Sequence, residues 1–199
     1  MEQLKLLKAK LPMRQYLSTI LSWLLNSGLF YLGWVLTIKF ILQDKYWQGP
    51  VINLAIILLH IARVPNRMFE TVLILSLAML GSVVDTALAY FNIIQYEGQY
   101  LCCTWFAPAW ITSLWALFAT SINHSLVWVG KTVWMSILVG SIGGTVSYLT
   151  AIKVGAAYFL VPEWQGIMIL AIVWAIAMPL CFVINDLLKK WFNVKEIPV

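Results

Sequence analysis

Long apolar blocks separated by short polar joints recur six times along the chain, at about 16–38, 48–62, 68–91, 104–122, 132–152 and 165–187. Hydrocarbon offers no water to backbone N–H and C=O groups, so each block is predicted to be a helix that satisfies them internally. About 20 apolar residues are needed to cross. The second block is short: its apolar run, Val51 to Ala62, is near the length of a re-entrant or core segment. Five crossings is therefore the alternative to six. The pattern predicts an all-α, polytopic transmembrane helix bundle of about six spans. A basic interfacial segment (1–14) precedes it, the bundle occupies 15–190, and a short tail (191–199) follows.

Composition agrees. Of 199 residues, 62% are hydrophobic and 11% charged, against roughly 45–50% and about 25% in soluble domains. That excludes a soluble globular domain, and it excludes disorder, which needs the opposite bias. The net charge of +5 would suggest nucleic acid in a soluble protein. Here the basic residues flank the blocks and set topology, so no nucleic-acid partner is expected and the partner is the lipid bilayer. With the N-terminus inside, ten basic residues (Lys5, Lys8, Lys10, Arg14, Arg63, Arg67, Lys131, Lys189, Lys190, Lys195) fall on inner segments and three (Lys39, Lys45, Lys153) on outer ones. This asymmetry predicts both termini in the cytoplasm, and five spans would spoil it. Leu4, Leu7 and Leu11 share a helical face opposite Lys5, Lys8 and Lys10, as in a short interfacial helix ending at Pro12. A solvated basic anchor is the plainer reading. The first block is too long for a signal-peptide core and lacks a small-residue cleavage site, so no cleavage is expected.

Polar groups inside the blocks need partners. Asp85 is an acid well inside the third block, about 9 Å from its outer end. Gly81, Asp85 and Ala89 are spaced by four and share a face that another backbone can approach. A proton, cation or substrate-amine site competes there with a structural carboxylate. The fifth block carries two small-residue stripes, Ser136, Gly140, Gly144 and Gly143, Ser147, Ala151, Gly155, predicted to pack against two neighbours. Asn53, Ser147, Tyr148 and Lys153 fall at a depth similar to Asp85 and complete a candidate substrate-binding cluster. Lys153 snorkelling to the interface is the alternative.

A second cluster, His60, Asn123 and His124, falls at the inner side near Asn185 and Asp186. Thr120, His124 and Trp128 share a face if the fourth helix persists. In an enzyme His124 would be the acid/base and Asn123 would orient the substrate; otherwise these groups cap carbonyls or bond across helices. Asp85 and His124 lie roughly 20 Å apart along the normal, which disfavours an Asp–His dyad. Eleven tryptophans divide into Trp47, Trp105, Trp134, Trp164 and Trp191 near block ends, and Trp23, Trp115 and Trp174 deeper, where the indole N–H needs a partner or a polar cavity. Cys102 and Cys103 are neighbours, which bridge each other only with strain; their redox role stays open, and Cys181 reads as a small apolar residue. No Cys/His spacing matches a zinc or haem site, so no metal or cofactor is expected. Phosphate-loop, dinucleotide, zincin and nucleophile-elbow motifs are missing.

The stretch Leu114-Trp115-Ala116-Leu117-Phe118-Ala119-Thr120-Ser121-Ile122-Asn123-His124-Ser125-Leu126 with Trp128 resembles a family of bacterial inner-membrane proteins known as a domain of unknown function. So do Gly140, Gly143-Gly144 and Ser147-Tyr148 with Gly155-Ala156, and Gly81 with Asp85. The resemblance covers about residues 20–185 and implies the bacterial inner membrane. It marks Asp85, Asn123, His124, Ser147 and Tyr148 as candidates without roles, and implies company with lipid- or fatty-acid-modifying enzymes. This sequence departs from it at Thr145, where the family pattern implies a proline and a kink.

Three functions fit these residues. Small-solute or lipid binding or transport through the polar site around Asp85 is favoured over catalysis. The small size suggests a homo-oligomer or a membrane partner protein. A lipid-active enzyme and an accessory subunit of a lipid-modifying system are the alternatives.

Overall fold

The computed structural model describes residues 13–100 and 102–194. Most of the predicted basic segment 1–14, and the tail beyond Val194, lie outside the described residues. The elements run α1 (Met13–Ile41), α2 (Gln48–Arg63), α3 (Arg67–Tyr90), β1 (Ile94–Tyr96), α4 (Ala109–Ala119), α5 (Val133–Val139), a π-helical turn (Gly140–Gly144), α6 (Thr145–Lys153), β2 (Ala157–Phe159) and α7 (Glu163–Trp191). Among the described residues, four helical segments are long and apolar enough to cross a membrane: Ile20–Ile41, Arg67–Tyr90, Val133–Lys153 and Glu163–Trp191. The helices α2 and α4 are apolar but shorter.

The outer surface fits hydrocarbon as solvent. Leu75, Met79 and Val83 on α3, and Ile172, Ile176 and Val183 on α7, point away from the bundle at helical spacing. In water such stripes would be an association hazard. Trp47, Trp105, Trp134, Trp164 and Trp191 are all exposed near segment ends, as an interfacial aromatic belt requires. The interior is packed by Leu73 and Leu77 of α3, Leu117 of α4 and Leu170 of α7.

Two local expectations need correction. The fourth helix, expected over 104–122, occupies only Ala109–Ala119. It begins after Pro108, which is extended at φ −68, ψ 157. Its far end gives way to consecutive turns over 120–128, so Thr120, His124 and Trp128 do not form a helical stripe. Short polar side chains there compete with the helical ladder, and α1 takes up the released carbonyls. Asn26 Nδ2 donates to the Thr120 carbonyl at 3.1 Å and Trp23 Nε1 to that of Ser125 at 2.9 Å. The second correction is a two-stranded antiparallel ribbon in which Ile94 pairs with Phe159, Gln95 with Tyr158 and Tyr96 with Ala157. It ties the end of α3 to the end of α6.

Candidate functional site

Asp85 is wholly buried and receives three hydrogen bonds from three different elements. Tyr96 Oη (β1) and Tyr148 Oη (α6) each donate to Oδ1 at 2.6 Å. Trp115 Nε1 (α4) donates to Oδ2 at 2.7 Å. A carboxylate with three short donors is well compensated in a dry interior. The Trp115 indole in turn lies flat on that of Trp174 (α7), with centroids 4.8 Å apart and planes 2° from parallel. Each ring lies close against a glycine. A Cβ at Gly81 would run into Trp115, and one at Gly144 into Trp174. Gly81 and Gly144 thus leave the room that the indole pair occupies where α3, α4, α7 and the π turn meet.

On the other side of these rings is a cavity of about 370 Å³. Tyr96, Trp115 and Tyr148 line it, joined by Trp23, Phe30 and Trp34 of α1, Trp110 and Phe118 of α4, and Trp174 of α7. Asp85 stands behind this wall and holds three of its aromatic side chains. Helix α1 packs mainly on α2 and α4, and the 133–153 segment mainly on α7; the cavity fills the wedge between. Its rim residues Trp23, Trp128 and Gly143 are exposed on the surface of the bundle.

The two small-residue stripes do different jobs. Gly140 and Gly144 meet α7, where a Cβ would strike Met178 and the carbonyl of Trp174, or the Trp174 indole. Gly143, Ser147 and Ala151 face the cavity instead of a second helix, and a Cβ at Gly143 would meet nothing within 4 Å. The π turn spans Gly140–Gly144, directly before Thr145, and such turns are frequent at functional sites.

Of the residues expected around Asp85, Tyr148 bonds to it and Ser147 lines the cavity. Asn53 is buried elsewhere: its Nδ2 donates to Thr37 Oγ1 at 3.0 Å and Ser113 Oγ at 2.9 Å, binding α2 to α1 and α4. Lys153 is exposed at the end of α6. Tyr96 escaped sequence reading because it lies in a joint. Trp115 carried a signal, since a deep indole needs an acceptor.

At the other end of the bundle His60 and His124 do come together, with ring centroids 4.7 Å apart and planes at 90°. Between them is Glu70, a residue the block pattern did not single out. Its Oε2 is 3.4 Å from His60 Nε2 and its Oε1 3.4 Å from His124 Nε2. Glu70 opens a helix, where acids are common as partners of the helix dipole; its level beside the two histidines was the available clue. Asn123 turns away and donates from Nδ2 to Asn185 Oδ1 of α7 at 2.8 Å. Glu70 and Asp85 are fifteen residues apart on α3, about 22 Å along its axis, so the two clusters are separate.

A family described as "protein of unknown function (DUF2878)" matches residues 23–180. The chain belongs to this family. No curated protein and no solved structure matches it. The matched DUF2878 region contains both polar clusters and the whole cavity wall, from Trp23 to Met178.

Proposed function

We propose that this membrane protein binds an apolar or amphipathic small molecule, a lipid chain in the simplest case, in the aromatic cavity between α1, α4, α6 and α7. The observation that carries this reading is a wall of tryptophan, phenylalanine and tyrosine around about 370 Å³. That volume falls within the range of roughly 300–1,000 Å³ of small-ligand pockets. The exposed rim supports entry from the side, out of the bilayer. Asp85 fixes the orientation of Tyr96, Trp115 and Tyr148, and the ligand meets those rings and Ser147. Binding is the core of the proposal; transport would require a further opening.

The orientation belongs to the same reading. We infer six crossings, two of them by the short α2 and α4, with both termini in the cytoplasm of a bacterium. Arg63, Arg67, Lys131, Lys189 and Lys190 then sit at the inner end with the histidines, and Lys39, Lys45 and Lys153 at the ribbon end.

The test is co-purified lipid and lipid-dependent thermal stabilisation of the protein in nanodiscs. Ser147→Trp places an indole in the cavity and should abolish both while the helical dichroism stays. Equal lipid retention and stabilisation in that variant would overturn the reading.

A further inference from the structure

The chain has two histidines, and the fold brings both to one carboxylate. They arrive on separate elements: His60 from the last turn of α2, Glu70 from the first turn of α3, and His124 from the turns after α4. Their ligand atoms all lie within 4.8 Å of one another, and among the described residues this is the one group of three such side chains so placed.

The spacing suits a metal. A tetrahedral zinc ion with bonds of about 2.0–2.2 Å keeps its ligands about 3.3–3.6 Å apart. Each His–Glu edge here measures 3.4 Å, His60 to Oε2 and His124 to Oε1, and the ligand atoms, all within 4.8 Å of one another, would draw in by about an ångström at most around an ion. An edge of 3.4 Å is long for a charge-assisted hydrogen bond, which closes to roughly 2.7–2.9 Å. Glu70 is only 5% exposed, so its charge needs a cation close by. The His124 Nε2 atom is buried and makes no hydrogen bond. One cation among the three groups answers both needs. Two imidazole nitrogens and one carboxylate form a ligand set that suits zinc or ferrous iron, whereas calcium and magnesium prefer oxygen alone.

We propose that His60, Glu70 and His124 bind one divalent transition-metal ion, of which zinc is the best fit. Three protein ligands leave a fourth position for water or another donor. The turns that carry His124 also supply Ser121 and Ser125 to the cavity wall, so the metal fixes one wall of the cavity. The proposal goes beyond lipid binding and does not depend on it.

The experiment uses the full chain with a histidine-free affinity tag, in nanodiscs, stripped with chelator and titrated with Zn²⁺ and Co²⁺. We expect one ion per chain, a rise in thermal midpoint with Zn²⁺, and a visible tetrahedral Co²⁺ spectrum. His60→Ala and His124→Ala should each weaken binding at least about tenfold, the loss that changes outside the ligand shell already cause. Ser147→Trp should leave it intact. Zinc binding by the wild type no stronger than by the His60→Ala/His124→Ala double variant would overturn the proposal. Should the variants not fold, X-ray absorption on the zinc-loaded wild type decides: two imidazoles and an oxygen support the site, and a shell without histidine overturns it.

Discussion

Asp85 accepts from three donors at 2.6–2.7 Å, and this sets what substitution does. In Asp85→Ala, Tyr96 Oη, Tyr148 Oη and Trp115 Nε1 are orphaned together, each at about 1–3 kcal/mol. Asp85→Asn is milder. Its oxygen can accept from Trp115 and its two N–H groups can point at the phenol oxygens, leaving only the phenol protons to find new partners. The thermal midpoint in detergent should therefore fall in the order wild type, Asp85→Asn, Asp85→Ala; an Asn variant as unstable as the Ala variant would contradict the clamp. The importance of Asp85 was legible from the sequence, because an acid deep in an apolar block must be partnered. The partners were not, since Tyr96 reaches it from a joint that carries no helical period.

At the scale of elements, the glycines separate packing from space. Gly144→Ala pushes a methyl group into the Trp174 indole and should cost about 1–3 kcal/mol, the usual penalty of overpacking. Gly143→Ala, one residue earlier, meets nothing within 4 Å and should leave the thermal midpoint nearly unchanged. Comparing the two midpoints tests the assignment of the stripes. Helix limits were largely legible: blocks expected at 68–91 and 132–152 match helical segments at 67–90 and 133–153. Hydrophobic period carried that information. It could not say which small-residue stripe meets a helix and which borders a void, because both are made of small residues at the same spacing. Nor could it reveal the ribbon, whose strands are three residues each, too short for alternation to register. The fourth helix ended early because polar side chains of α1 were ready to take its carbonyls, a long-range fact.

For the whole molecule, the inferred topology puts the loop between β1 and α4 outside. Cys102 is exposed there, Cys103 is half-buried, and Cys181 is buried in α7. The exposed Cys102 is the more accessible of the pair and Cys103 the less, and labelling follows access to the sulfur. A membrane-impermeant maleimide added to spheroplasts should label wild type and Cys103→Ser, and label Cys102→Ser more slowly. Labelling only after lysis would reverse the orientation. The His60–Glu70–His124 cluster was partly legible: depth brought the two histidines to one level, and Glu70 was missed. His60 and His124 are 64 positions apart in the chain, and no local spacing announces that α2, α3 and the turns after α4 converge.

The stacked indoles of Trp115 and Trp174 also give the protein an optical signature. Two indoles held stacked at 4.8 Å in asymmetric surroundings contribute near-ultraviolet dichroism that lasts only while α4 and α7 hold them fixed. A bundle that kept its helices but loosened this seam would lose that band while its far-ultraviolet spectrum persisted. The molecule thus carries its own gauge of tertiary order, with Trp174→Phe as the blank.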